Sequence, residues 1–293
     1  MMRSFIPLLS IALMMVSCKS KVDSQLPTLE EQQIGVTSVH NARQLGGYRI
    51  GDKCVKADLL LRSARLSDLS AEDSTLLADK YKVQRIYDFR GEKEILAAPD
   101  VIPGGASHRS LSLAFAKEEG DSSFDMKMGS ERDIVKMLLM YAEHPAVQNM
   151  CTNMYDVILF EESSQEVYRQ FFADLLALDP ADGAVLWHCT QGKDRAGCAS
   201  AMLLAALGAD RNLIVADFTL SKDYYDPQIA QIETTTEAQQ MALGTLISAN
   251  PTIFEATLDK VEARYGSLRG YLTECIGVTP EMMEALREKY LEN

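Results

Sequence analysis

Cys189 and Arg195 are separated by five residues in the stretch Val185-Leu186-Trp187-His188-Cys189-Thr190-Gln191-Gly192-Lys193-Asp194-Arg195-Ala196-Gly197. A thiol attacks as its thiolate, and a thiolate needs positive surroundings. The stretch supplies them. An apolar run precedes Cys189 and a run of Ala, Met and Leu follows Arg195, so the order is strand, loop, helix. In that order the loop's successive N–H groups point inward and the positive end of the helix lies behind them, which makes an anion site. Arg195 adds a bidentate fork for two phosphoryl oxygens. The same charges are expected to hold Cys189 as thiolate, and a thiolate beneath a bound phosphate is a nucleophile in line with phosphorus. The candidate phosphate-binding residues are Thr190, Gln191, Gly192, Lys193, Asp194 and Arg195.

Such a loop must be held by a sheet. Ala184 to His188 reads as a short buried strand, and about 195 to Leu207 as a helix of small residues. Residues 36–61 carry short β-like runs around Gly46, Gly47 and Gly51, ending in a strand at Leu59–Leu61. Ser70 followed by Asp73 is a capping-box pattern for a helix through about Tyr81. Val83 to Phe89 reads as a strand and Ser107 to Leu113 as a weaker one. Residues 115–130 are polar, without a period, and read as a mobile loop. Two helices are expected in 131–160, broken at Pro145, and Ser163 with Glu166 would cap the next, ending near Leu178. Asp210 starts a further helix, Asn250-Pro251 opens one that Gly266 stops, and Ser267–Ile276 and Pro280–Leu291 are two more. Strands alternating with helices predict an α/β fold in three layers: a central, mostly parallel sheet flanked by helices, with a helical lid insertion before the key loop and a helical C-terminal part.

The 293 residues carry 29 Lys and Arg against 42 Asp and Glu, a formal charge of −13. That balance argues against a nucleic-acid binder and a basic membrane-surface protein, so an anionic substrate must be caught by a local positive site. Arg3 and the apolar run Phe5–Val16 form a signal-peptide pattern ending at Met15-Val16-Ser17-Cys18, which resembles a bacterial lipobox with Met15 in place of the commoner leucine. The expected organisation is a lipoprotein-type signal peptide at 1–17, a polar tether at 18–35 and a catalytic domain at 36–293. Cys18 would carry the lipid, anchoring an exported protein to a cell-envelope membrane; plain secretion is the alternative. The six cysteines, at 18, 54, 151, 189, 198 and 275, contain no C-x-x-C pair, so neither a zinc site nor a disulfide framework is expected. Cys198 could be a redox partner of Cys189, but a small buried thiol is the simpler reading. His40, His108 and His144 are scattered with no metal-ligand spacing, and neither a metal nor a cofactor is expected.

The segment from His188 to Gly197 resembles the phosphate loop of cysteine-dependent protein tyrosine phosphatases, and its Gly-Lys-Asp-Arg core is similar to that of a bacterial branch of tyrosine and lipid phosphatases. Four further stretches resemble that branch in order: Asn41-Ala42-Arg43-Gln44-Leu45-Gly46-Gly47-Tyr48, Leu61-Arg62-Ser63-Ala64-Arg65-Leu66, Asp88-Phe89-Arg90, and Asp210 to Tyr224. The resemblance spans about 36–290. It implies a phosphotyrosine-phosphatase-like fold, and hydrolysis of phosphate monoesters through a cysteinyl-phosphate on Cys189. Arg195 would hold the phosphoryl oxygens, and a carboxylic acid would protonate the leaving oxygen and then deprotonate water. Asp88 and Asp194 compete for that role. Asp88 is the expected acid, with a structural pair to a nearby arginine as its plain alternative; the plain alternative for Asp194 is to orient Arg195 or Lys193. Lys193 is expected on phosphate or on a second anionic group of the substrate, and His188 as a loop-ordering residue. Two departures stand out. Ala196 replaces the usual Thr or Ser, removing a hydroxyl that would bond the departing thiolate and costing about 1–3 kcal/mol when the intermediate breaks down. Gln44 replaces the usual Asp.

Phosphotyrosine on proteins or peptides is the leading substrate, and phosphoinositides or inositol phosphates are the nearest rival. A phosphate-binding module with poor turnover is kept open by Ala196. A rhodanese-like sulfur transferase gives no reason for Lys193-Asp194.

Overall fold

The computed structural model of the chain describes residues 25–114, 139–140, 142–230 and 232–293. The expected loop at 115–130 and most of the helix expected before Pro145 lie outside them.

Five short strands lie side by side in the order β1 (Arg43–Gln44), β4 (Leu60–Ser63), β7 (Val185–His188), β5 (Arg85–Asp88) and β6 (Ser107–Ser110). The last four are mutually parallel and β1 is antiparallel at one edge. A small antiparallel sheet joins β2 (Arg49–Ile50) and β3 (Lys53–Val55) to β8 (Leu291–Glu292) at the chain's end. Side chains alternate across a strand, and here they feed two separate cores. Leu60, Tyr87, Val185 and Trp187 enter the larger core, whereas Leu61, Ile86 and Leu186 enter the smaller one. Both faces of β4 and β7 are buried, which suits the apolar run Val185–Trp187 in β7, while β4 buries Arg62 and Ser63 behind Leu60 and Leu61.

The two faces are covered unequally. α2 (Ala71–Asp79) packs Leu77 into the smaller core. The larger core takes α4 (Pro145–Phe160), α5 (Glu162–Ala177), α6 (Asp194–Leu207), α7 (Arg211–Thr219), α10 (Pro251–Tyr265) and α12 (Pro280–Tyr290). α6 is the axis of this layer. Every residue from Arg195 to Leu207 is buried, and its Gly and Ala positions let neighbouring helices approach closely. Gly208 ends it in the left-handed conformation. The three-layer α/β expectation therefore holds.

Several boundaries shift for identifiable reasons. The 18–35 tether is too long: α1 (Leu29–Gln32) is docked, with the Gln25 carbonyl accepting from Arg49 N–H at 2.8 Å, Gln32 fully buried and Gln33 bridging to Arg43. The expected capping box at Ser70 is half formed. Ser70 caps the Asp73 N–H, but the Asp73 carboxylate turns to Thr37 and Ser38. α5 starts at Glu162, because Glu161 rather than Ser163 precedes the first turn. Pro145 and Pro251 do open helices, at N1 behind His144 and Asn250. The helix from Ser267 splits into α11 (Leu268–Tyr271) and a π-helical turn at Leu272–Ile276.

Candidate active site

The parallel strands end together: Ser63 of β4 and Asp88 of β5 both sit opposite His188 of β7. Cys189 follows at once, 2% exposed, so the loop begins at the carboxyl edge of the sheet, where open α/β sheets place ligands. Gly192 makes the loop's turn at φ +67°. A Cβ there would fall 2.2 Å from the Ser63 carbonyl oxygen, so only glycine fits against β4.

Four successive loop carbonyls are held from outside. Thr190 O accepts from Arg65 N–H at 3.2 Å. Gln191 O accepts from Asn41 Nδ2 at 3.1 Å and from the hydroxyl of Tyr225, on α8 (Ser221–Ile229), at 2.6 Å. Arg62 Nη2 donates to Gly192 O at 2.8 Å and to Lys193 O at 3.3 Å. Across a planar trans peptide the N–H points opposite to the C=O. Outward carbonyls therefore turn the N–H groups of Gln191, Gly192, Lys193 and Asp194 to the inner side, where the first turn of α6 adds its own. The inner side of the loop is thereby lined with N–H donors, a geometry suited to an anion.

The guanidinium of Arg195 is fixed by a residue that sequence reasoning missed. Glu94 in α3 (Glu92–Ala97) accepts from Arg195 Nη1 at 2.7 Å and from Nη2 at 2.8 Å. Its Oε1 also takes the Thr190 hydroxyl, and its Oε2 caps the Gly91 N–H at 2.9 Å. Burial disfavours ionisation of Glu94, but Arg195 and these donors outweigh it and hold the carboxyl at about 2. Gly91 followed three residues later by Glu94 is a helix-start pattern directly after Asp88-Phe89-Arg90, and was the available signal.

The two candidate acids have opposite surroundings. Asp194 stands at the first position of α6, its side chain 16% exposed. Its Oδ1 accepts from the Tyr155 hydroxyl at 2.7 Å and its Oδ2 lies 3.5 Å from Lys193 Nζ. Burial and the Asp194 charge push the Tyr155 phenol well above its ordinary range, so it remains a donor. Asp88 is fully buried. Arg90 grips it through Nε at 3.0 Å and Nη2 at 2.8 Å, and His108 and His188 lie 3.6 and 3.8 Å away. Burial opposes its charge, but the histidine and Arg90 partners hold it well below the usual carboxylate range. A carboxylate locked in this way is a structural group, and the expectation that Asp88 is the acid is corrected.

Lys193 also differs from expectation. Its side chain is buried, and Nζ donates to the carbonyls of Thr245 and Ser248 at 2.8 and 2.7 Å, at the end of a π-helical turn (Leu243–Ile247) that extends α9 (Glu237–Ala242). The ammonium fastens this segment to the loop instead of facing a ligand. Gln44 bonds inside the N-terminal region, to Glu31 O and Asp58 N–H. Ala196 is fully buried, and its carbonyl takes Trp187 Nε1 and the Ser200 hydroxyl. The cysteines of the described residues are all free. Burial drives the Cys198 thiol well above its ordinary range.

His188 and His108, unrelated in sequence, meet Asp88 and Asp100 in one cluster with ligand atoms within 4.8 Å of one another. His188 Nε2 is 3.1 Å from Asp100 Oδ2. Arg90 Nη2 lies 2.8 Å from both carboxylates and already brings the neutralising charge that a cation would supply. Hydrogen bonds to Asp100 and Asp88, only partly opposed by burial, raise His108 to about 9, which adds a second positive charge. His188 Nδ1 is 3.4 Å from the Cys189 carbonyl, so this cluster braces the strand behind Cys189.

The chain is similar to known proteins over most of its length. A Cupriavidus necator protein provisionally named a tyrosine-protein phosphatase is 28% identical over 270 residues, covering 87% of this chain and 86% of its own. The Mycobacterium tuberculosis triple specificity protein phosphatase PtpB is 30% identical over 266 residues, covering 78% of this chain and 89% of its own. Among solved structures, the core catalytic domain of the Saccharomyces cerevisiae PP-IP phosphatase Siw14 aligns with a TM-score of 0.32 at 12% identity, over 77% of this chain and 94% of that one. The model of the tyrosine phosphatase family matches residues 34–292, from the docked N-terminal segment to the last strand, and the chain belongs to that family.

Proposed function

We propose that the protein hydrolyses phosphate monoesters, phosphotyrosine on proteins or peptides first among them, through a phosphorylated Cys189. The observation that carries this reading is the ring of outward-held carbonyls around a buried cysteine, closed by an arginine that Glu94 fixes in place. The Cys189 thiolate attacks phosphorus and the bond to the tyrosyl oxygen breaks. Asp194 gives its proton to that oxygen. Arg195 and the loop N–H groups hold the equatorial oxygens as charge builds on them. Water then attacks the phosphocysteine, Asp194 takes the water's proton, and phosphate leaves with the thiolate restored. The withdrawn Lys193 ammonium favours a single phosphate over a polyphosphorylated inositol head group.

The protein is further proposed to be exported and anchored through a lipid on Cys18, on the strength of Arg3, the apolar run Phe5–Val16 and the residues before Cys18. Mass spectrometry of the mature N-terminus tests this; an unmodified cysteine or an uncleaved leader refutes it. The activity is tested by turnover of a phosphotyrosine peptide, a phosphoinositide, an inositol phosphate and p-nitrophenyl phosphate, each with Cys189→Ser in parallel. Preference for the peptide and silence of the variant are expected. Phosphate binding without turnover would establish a binding module instead.

A further inference from the structure

The loop is shaped by a buried device that the mechanism above does not use. Asp217, on α7 and 1% exposed, accepts from Arg62 Nη1 at 2.6 Å and from the Tyr48 hydroxyl at 2.8 Å, and its Oδ1 lies 3.5 Å from Arg43 Nη2. Its backbone carbonyl also accepts from Arg43 Nη2, at 3.1 Å. Both arginines are fully buried. Each then reaches the loop. Arg62 uses Nη2 on the carbonyls of Gly192 and Lys193. Arg43 donates through Nη1 to Asn41 Oδ1, and Asn41 Nδ2 donates to Gln191 O at 3.1 Å. Three consecutive loop carbonyls thus trace back to one carboxylate.

We propose that Asp217 is a positioning residue for phosphoryl binding: it holds Arg62 and Arg43 side by side so that they draw the carbonyls of Gln191, Gly192 and Lys193 outward and aim the loop's N–H groups at the phosphoryl oxygens. The inference rests on the reading of the Cys189 loop as the phosphoryl site. Its physical basis is charge. Two guanidinium groups buried together repel, and each is costly to bury without a partner. Asp217 offsets both and bonds Arg62 through one nitrogen, which aims the other at the loop. Without it the two cations separate or admit water, and the Gly192 carbonyl is released to rotate inward, while Gln191 O keeps the Tyr225 hydroxyl and Lys193 O the Gly197 N–H. An inward carbonyl presents negative charge to an anion in place of an N–H. Arg62 does not touch substrate in this account; it acts through the peptide groups.

The test compares Asp217→Asn, which keeps size and removes charge, with Arg62→Lys, which keeps the charge opposite Asp217 but loses the second arm that reaches Gly192. Leu77→Ala, a cavity in the smaller core on the opposite face of the sheet, serves as a purely destabilising control. Melting temperature, kcat, KM and vanadate inhibition are measured on each purified protein below its melting point, and phosphate binding is measured by calorimetry. Both loop variants should bind vanadate about 10–100-fold more weakly, the loss of one or two charge-assisted hydrogen bonds. The control should melt earlier and keep wild-type vanadate inhibition. A folded Asp217→Asn or Arg62→Lys protein with wild-type vanadate inhibition overturns the proposal. Should Asp217→Asn fail to fold, Arg62→Lys alone decides. Failure of the wild-type protein to bind phosphate would sink the underlying reading, whereas equal binding by wild type and variants sinks only the role of Asp217.

Discussion

Replacing Asp194 by asparagine should chiefly cost the protein its general acid. The amide oxygen can still accept from Tyr155, which lies 2.7 Å away, and Lys193 keeps its two carbonyl partners. The buried Lys193 ammonium loses the carboxylate 3.5 Å away, so the stability change should be about 1–3 kcal/mol. The chemical loss depends on the leaving group. A tyrosyl oxygen, whose conjugate phenol has a pKa of about 10, leaves poorly as an anion, and a positioned acid contributes about 10²–10⁴-fold. p-Nitrophenolate leaves without help, so the same variant should lose less than about tenfold on its phosphate. Asp88→Asn should behave in the opposite way. It leaves Arg90 and a charged His108 to share the Asp100 carboxylate alone, beside a neutral amide in a fully buried position. Removing one partner of such a group costs about 3–5 kcal/mol, or about 6–20 °C in melting temperature for a domain of this size. Turnover of the molecules that remain folded should fall equally on both substrates. The assay is kcat for a phosphotyrosine peptide and for p-nitrophenyl phosphate at low temperature, together with thermal melts. A uniform loss in Asp194→Asn, or a selective loss on the peptide in Asp88→Asn, would refute the assignment.

Other consequences can be checked in the same protein. Glu94→Gln removes the carboxylate that fixes Arg195 and should lower kcat/KM about 10–100-fold, chiefly through KM, with vanadate inhibition weakened in step. Glu94 is held at about 2 against 4.5 when unperturbed, so its stabilisation, about 2–3 kcal/mol, is fully present above pH 4.5 and disappears as pH falls toward 2; acid unfolding of Glu94→Gln should lack that component. His108 is raised from 6.5 to about 9, so its contribution is complete below pH 6.5 and is lost as pH rises through 9. The ring is partly open to solvent, which reduces the effect to about 1–2 kcal/mol, and thermal melts of His108→Gln should lose this alkaline decline. Gly192→Ala places a Cβ 2.2 Å from the Ser63 carbonyl and should cost at least about 100-fold in kcat/KM through a displaced loop.

The loop and its surroundings were legible because their constraints are local. A cysteine, a turn glycine and an arginine between an apolar strand and a small-residue helix admit few other readings, and β4, β5, β7 and α6 lie within a few residues of their expected places. What escaped depends on contacts distant in sequence. Glu94 and Arg195 are paired across 101 positions, and Asp217 and Arg62 across 155. Asp88 looked like an acid because its strand ends beside the loop. The neighbour two residues on, Arg90, takes it; the sequence offers that pair as the alternative, and the folded turn after β5 decides between the two. Lys193 looked like a phosphate ligand by its place in the loop, but the turn at 243–247 that captures it has no sequence signature. The docked segment before residue 36 was misplaced because polar side chains such as Gln32 are buried there through hydrogen bonds, to the Pro27 carbonyl and to Tyr48.

The most direct measurement is rapid acid quench of the wild-type protein during turnover of a ³²P-labelled phosphotyrosine peptide, followed by digestion and identification of the labelled fragment. Label on the fragment carrying Cys189, as S-phosphocysteine, is predicted. It should build up in a pre-steady-state burst, because Ala196 supplies no hydroxyl to the departing thiolate, and it should be absent from Cys189→Ser. Turnover at an undiminished rate by that variant, or label on any other residue, would contradict the account.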